Sequence, residues 1–282
     1  MIRRPAQRGV ALLAVLWVMA LLAVIAAAFT TARRADTRLA RNLADNARAE
    51  ALADAGIHAA IFGLRQTGDL AWTADGRTYS LLLDGGEVQV SAQDEAGKFD
   101  LNTGSRDLLT RLLAHMALEP SSITAVLDAV DDWRDEDALH RPHGAEDADY
   151  RAAGLPYGAK DGAFESVEEL RYVRGVDAVL YRRLAPLLTV HSRRRHVDSA
   201  TAPSALRAAL PGDVSAPAAA GLRGRQRVFT LHAVAVTAEG ARFARRAVVR
   251  LASDPAHPVA VLEWHRPSGD AAVKADQSSS SR

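Results

Sequence analysis

The 282-residue chain contains no cysteine, so no disulfide can brace it and no thiolate can bind a metal or attack a substrate. That absence leaves the compartment open. Aromatic residues are only 5% of the chain, too few for the sugar cleft that a glycosidase carboxylate pair would need. There is no Gly-x-Ser-x-Gly elbow, phosphate-binding loop, dinucleotide fingerprint or His-Glu-x-x-His helix. These absences argue against an enzyme. Charge of neither sign prevails, with 35 Lys+Arg against 34 Asp+Glu, so no global field attracts nucleic acid. No proline occurs between Pro5 and Pro120, which leaves that interval free of the strongest helix breaker. The 48% hydrophobic content is that of an ordinary packed core.

What the chain does have is a polar leader ending in Arg8-Gly9, followed by twenty uncharged residues, Val10 to Phe29. At about 1.5 Å per residue such a run spans roughly 30 Å as a helix, the thickness of a hydrocarbon core. A secretory signal peptide with Arg3, Arg4 and Arg8 as its basic region and a cleavage site near Ala26-Ala27-Ala28 is the rival reading, although its apolar region would normally be shorter. Helix-compatible sequence continues past Thr30: Leu39, Leu43, Ala47 and Ala51 recur every fourth residue, then Ala53, Ile57, Ala60, Ile61 and Leu64 form an apolar face. The spacing predicts one helix of some fifty residues, apolar all round at first and amphipathic later. Arg33 and Arg34 follow the run much as Arg3, Arg4 and Arg8 precede it, so charge favours a cytoplasmic N-terminus only weakly.

The period then changes. Arg77 to Asp84 and Glu87 to Ala92 read as strands around a Gly85-Gly86 turn. Two strands are not stable alone. Partners lie downstream in Arg227 to Val236, Arg242 to Leu251 and Val259 to Trp264, with a turn at Glu239-Gly240. The intervening segment reads as helical: Asp107 to Met116, a helix begun by serine caps Ser121 and Ser122, a third from Ser166 with Glu169 completing a capping box, and a fourth from Val179 to Leu184 before Pro186. The fold class is therefore α+β: a long N-terminal helix, transmembrane then amphipathic, packed on an antiparallel sheet, with a large inserted all-α domain.

Short basic leader, glycine, apolar helix and amphipathic continuation together resemble the type IV pilin and pseudopilin family. Ala14 stands where most of that family carries glutamate, a departure that resembles the K-type minor pseudopilins of type II secretion systems. Phe164, Ser166, Glu169-Leu170, Val173, Gly175, Tyr181, Leu184, Pro186 and Leu187 to Val190 resemble that group's inserted helical domain, as do Gly97 to Asn102 before it and Thr201-Ala-Pro203 after it. At Val197 to Pro203 the group's usual asparagines are missing. The resemblance implies a leader at 1–9 cut by a prepilin peptidase between Gly9 and Val10, with methylation of the new terminus. It implies a transmembrane helix at 10–29 in the inner membrane, a pilin-like helix and first strands at 30–102, an insertion at 103–195 and the rest of the pilin-like domain at 196–265 in the periplasm. Residues 266–282 read as a disordered tail. Minor pseudopilins I and J are the implied partners in a filament tip that drives protein export, alongside the secreted substrates themselves.

The stretch from Asp128 to Tyr150 holds nine carboxylates against Arg134 and Arg141 as local cations. Asp132, Asp135 and Asp137 alternate beside Trp133, and oxygen-only donors suit a hard cation such as calcium. The family resemblance adds Glu146, after Gly144, as a returning carboxylate; Asp149 completes the expected set. Like charges so crowded repel unless a cation compensates them. A solvated acidic loop is the alternative. His140-x-x-His143 has a zinc-like spacing but sits on a proline-containing loop without supporting ligands. The helix pairs also resemble helix-hairpin-helix modules, but carboxylates follow the first pair and Arg193-Arg194-Arg195 reads as a solvated linker, so no nucleic-acid partner is expected. Two other function classes stay open: a signal-peptidase-cleaved periplasmic module binding metal or protein, and a membrane-tethered hydrolase dependent on Asp135.

Overall fold

The computed structural model describes residues 8–210, 226–252, 254 and 256–267, without the side chains of 8–11, 29–32, 34 and 35. The expected leader residues 1–7 and most of the expected tail, 268–282, lie outside the described residues.

Helix α1 (Arg8–Arg65) runs unbroken for 58 residues, as the absence of proline and the sustained periodicity predict. Its first part presents Leu12, Leu16, Trp17, Met19, Leu22 and Ile25 outward, all more than half exposed. Among the described residues no helix is long and apolar enough to cross a membrane. The expected span, 10–29, begins and ends on residues whose side chains lie outside the described set.

The second half of α1 packs on a sheet of strand order β1-β2-β5-β6-β7, antiparallel throughout. The strands are β1 (Asp75–Leu83), β2 (Gly86–Asp94), β5 (Arg227–Thr237), β6 (Arg242–Leu251) and β7 (Val259–His265). Alternate residues Val88, Val90 and Ala92 on β2 lie opposite Ala235, Ala233 and Leu231 on β5, and this face meets Leu52, Ala53, Ile57 and Ala60 of α1 in one buried cluster. Small residues set the spacing. A Cβ built on Gly56 would lie 2.7 Å from Val88 Cγ1, so the glycine lets the helix settle directly on the strand. Arg245 on β6 fastens the same seam: its guanidinium reaches Asp54 Oδ1 at 2.6 Å and Glu50 Oε1 at 2.5 Å on α1.

One detail of this unit corrects the sequence reading. The hairpin turn is Asp84-Gly85, one residue earlier than expected. Gly85 has φ +98° and Gly86 already pairs with Leu83; a Cβ on Gly86 would meet Val236 O at 2.3 Å. The packed face of α1 begins near Ala49 and runs through Ala53, Ile57 and Ala60 as the periodicity predicts, while Leu39 and Leu43, 59% and 60% exposed, and Ala47 face outward.

Between β2 and β5 the chain builds its helical unit. β3 (Phe99–Asp100) and β4 (Leu188–Thr189) pair in parallel at its neck. α2 (Arg106–His115), α3 (Pro120–Arg134), α4 (Asp147–Ala152), a 3₁₀ segment at Val167–Tyr172, α5 (Ala178–Leu184) and α6 (Ser204–Ala209) surround a core that includes Leu112, Leu113, Trp133, Tyr150, Leu170 and Leu184. Here too the structure amends details. Glu119 stands at the N-terminal boundary of α3 without a side-chain capping bond and Pro120 opens its first turn, so Ser121 and Ser122 lie inside the helix rather than capping it. The segment from Ser166 has its capping box with Glu169 but winds as 3₁₀. Val197, Ala202, Leu206 and Leu210 join this core, extending it past residue 195.

Buried and half-buried polar contacts lock the helical unit to the outer face of the sheet. His191 Nε2 lies 3.0 Å from Glu263 Oε1, and Arg246 Nη1 donates to Glu263 Oε2 at 2.7 Å. The hydrogen bond from His191, reinforced by Arg246, holds the Glu263 carboxyl at about 2. Beside it Lys98 Nζ reaches Glu95 Oε1 at 2.6 Å, and Thr230 donates to the same oxygen at 2.7 Å. Burial opposes ionisation of Glu95, yet Lys98 and these hydroxyl donors keep it below the usual carboxylate range. Burial pushes His232 on β5 down to about 3, with Arg246 and Lys98 adding to the effect, so the imidazole is neutral.

Candidate acidic site and family relationships

The acidic site forms where α3 ends. On a helix, residues three and four apart share a face, and Asp128, Asp131 and Asp132 are so spaced, with Asp135 as the C-cap residue. Arg106 from α2 bridges Asp128 and Asp131. Arg134 Nη2 donates to Asp131 Oδ1 at 2.7 Å and its Nη1 reaches Leu101 O at 2.6 Å, tying the helix end to the neck.

Asp132 is fully buried. Its Oδ2 accepts the backbone N–H groups of Ala145 at 2.9 Å and Arg141 at 3.3 Å, which folds the loop back over the helix end. Gly144 is required by that fold, because a Cβ there would lie 1.8 Å from Asp132 Oδ2. Arg141 completes the arrangement: its Nη1 lies 2.6 Å from Asp132 Oδ1 and 2.5 Å from Asp135 Oδ2. Although partial burial opposes the charge, Asp132 and Asp135 raise the guanidinium above its ordinary range.

Glu146 begins α4 and is 6% exposed. Burial, and then the charges of Asp132, Asp161, Asp135 and Asp137, push its carboxyl up to about 6. Glu146 Oε1 and Asp135 Oδ1 are both buried and accept no hydrogen bond from the protein. Below them Trp133 packs against Tyr150 and Phe164, with ring centroids 5.9 Å and 6.4 Å apart. The Tyr150 hydroxyl accepts the Arg174 N–H at 3.1 Å, and burial pushes its pKa up to about 12.

Of the residues singled out in the sequence, Asp132, Asp135, Asp137 and Glu146 therefore share one electrostatic neighbourhood. Asp137 is exposed, with Oδ1 accepting the Leu139 N–H at 2.8 Å. Asp149 is engaged elsewhere: its Oδ2 accepts the Glu146 N–H at 3.1 Å and faces His140 Nε2 at 3.3 Å, while Oδ1 meets Arg174 at 3.3 Å. His143 gives its backbone N–H to Asp128 Oδ2 at 3.1 Å. Asp161 is the member that the sequence reading missed. It comes from a loop beyond α4 and holds φ +54°, so only the tertiary fold delivers it. As arranged here, no group of three or more His, Asp or Glu among the described residues is gathered to hold a metal ion. The donor chemistry nonetheless suits a hard cation, being carboxylate throughout with two buried oxygens lacking donors. Gly9 and Val10 lie in the first turn of α1, and their side chains are outside the described set.

A long N-terminal helix, a five-stranded antiparallel sheet laid on its C-terminal half and a helical unit inserted between β2 and β5 define an α+β protein. The fold is similar to a chain of the crystallised GspK-GspI-GspJ complex from the enterotoxigenic Escherichia coli type 2 secretion system, with a TM-score of 0.57 at 18% identity over 84% of this chain and 99% of that one. Residues 87–193 match the family described as Type II secretion system (T2SS), protein K. The chain is 31% identical over 202 residues to type II secretion system protein K of Klebsiella pneumoniae, covering 64% of this chain and 61% of that protein. Against the Pseudomonas aeruginosa protein K it is 30% identical over 213 residues, covering 66% and 62%. A shorter match to the Aeromonas hydrophila protein K reaches 45% over 76 residues, covering 27% and 23%. Over its helical unit the chain is thus similar to the type II secretion protein K family, and its matches span only about three fifths of the length of the first relatives named. These relatives are named as components of type II secretion systems.

Proposed function

We propose that this chain is a structural minor pseudopilin that caps or initiates the tip of a type II secretion pseudopilus. The family match across the helical unit carries the reading. Its apolar N-terminal helix serves as a single inner-membrane span, with the sheet and helical unit in the periplasm; the outward Leu12, Trp17, Leu22 and Ile25 suit lipid. Prepilin peptidase removes residues 1–9 and the new terminus at Val10 is methylated. The absence of a carboxylate at Ala14 fits a first subunit, since a glutamate there would be left unpaired in lipid with no neighbouring terminus to neutralise.

The partners are the minor pseudopilins I and J, the proteins named with GspK in the crystallised complex. Leu39 and Leu43 supply the apolar stripe on α1 for their helices. Calcium is the expected ion at the acidic site, held by Asp132, Asp135, Asp137 and Glu146 with Asp149 at the margin, where it would neutralise charges that otherwise repel across buried space. Co-expression of the full-length chain with cognate I and J tests the function. A stable three-protein complex weakened by Leu39→Asp plus Leu43→Asp is expected. Failure to recover a complex, with or without calcium, would overturn the tip role.

A further inference from the structure

We propose that Arg141 is a tethered counter-cation that occupies the acidic site in the ion-free protein and must leave for calcium to enter. The inference rests on the calcium reading above. Three observations carry it. Arg141 Nη1 sits on Asp132 Oδ1 and Asp135 Oδ2, the oxygens a bound ion would take. The substitution is incomplete: Glu146, 6% exposed, keeps Oε1 without a donor, and so does Asp135 Oδ1. Arg141 also arrives on a loop whose preceding residues, Glu136 to His140, are all exposed, so its side chain can swing away without disturbing the core.

A guanidinium offers one positive charge and donates hydrogen bonds; a calcium ion offers two and accepts six to eight oxygens. The two therefore compete for one set of carboxylates. Arginine in place offsets the repulsion among these carboxylates, and calcium binding becomes an exchange of one cation for another. The site's apparent affinity is then lowered by the fraction of molecules in which Arg141 is already out. Asp135, Asp137 and Glu146 would converge on the ion only after that exchange.

The experiment is calcium titration calorimetry on the full-length, detergent-solubilised chain and on Arg141→Gln, with Glu146→Gln as the control for the site. Arg141→Gln is expected to bind calcium about ten-fold more tightly, the gain for a competent fraction of about a tenth, and to melt at lower temperature than the parent in chelator. If that variant does not fold, the Arg141 Nε–H resonance of the parent, assigned by its loss in Arg141→Lys, is expected to shift on adding calcium. Calcium binding that is lost in Glu146→Gln yet no tighter in Arg141→Gln, with the resonance unmoved, would overturn the competition alone. No calcium binding by the parent or by Arg141→Gln would overturn the calcium reading and this inference together.

Discussion

Replacing Glu263 by glutamine should weaken the joint between helical unit and sheet in a way that only pH reveals. Glu263 on β7 is held between the imidazole of His191, from the far end of the insertion, and the guanidinium of Arg246. Its carboxyl sits at about 2 against an ordinary value of 4.5. At about 1.4 kcal/mol per unit the full difference is roughly 3.4 kcal/mol. Its side chain is 27% exposed, and solvent screening brings the expected figure to about 1–2 kcal/mol. The sign follows from linkage. The folded value is depressed, so the stabilisation is fully present above pH 4.5 and is lost as pH falls towards 2. Thermal melts of the parent and Glu263→Gln in chelator should therefore differ by about 2–8 °C at pH 7 for a chain of this size, and converge near pH 2 to 3. A difference that stays constant with pH would mean the substitution acts through packing, and no difference at pH 7 would refute the ion-pair account altogether.

Other perturbations address different parts. Gly144→Val should push Asp132 off its backbone donors and lower the stability of the helical unit by about 1–3 kcal/mol; melts in chelator unchanged from the parent would contradict the close approach at Gly144. Gly56→Leu should overpack the seam between α1 and β2 by about 1–3 kcal/mol, and hydrogen exchange should quicken in the sheet before it does in the helical unit. Calcium at a hundred times its dissociation constant should stabilise the native state by about 2.7 kcal/mol, raising the melting temperature by about 5–10 °C. A melting temperature identical in millimolar calcium and in chelator would return the acidic stretch to a solvated loop.

The parts of this structure legible in the sequence are those whose signal is local and repeated. α1 declares itself by its long unbroken periodicity, and β6 was located to the residue because its alternation ends at clear turns. Where one residue decides, the reading slips: with two adjacent glycines, only the register showed that Gly85 turns and Gly86 pairs. β3 and β4 are two residues each and exist only as partners of one another, so neither has a period to detect. α4 and α6, at six residues each, are too short to show one, and their amphipathicity is set by the core they meet. In the acidic site the carboxylates of α3 were visible as a cluster, but two facts are tertiary. Asp161 arrives from a separate loop, and Arg141, counted in the sequence merely as a nearby cation, stands between Asp132 and Asp135. The face of α1 that meets the sheet was legible, because Ala53, Ile57 and Ala60 repeat at helical spacing and are buried as a set, whereas Leu39 and Leu43 stay exposed.

The central claim is that this chain enters a membrane filament as a pseudopilin, and the mass of its mature N-terminal peptide tests that most directly. In cells carrying a prepilin peptidase, protein from the membrane fraction should begin at Val10 with an added methyl group, and Gly9→Val should leave the leader attached. A terminus near Phe29 or Thr30 would instead identify a cleaved secretory signal, and an intact Met1 in the presence of active peptidase would contradict the pseudopilin assignment.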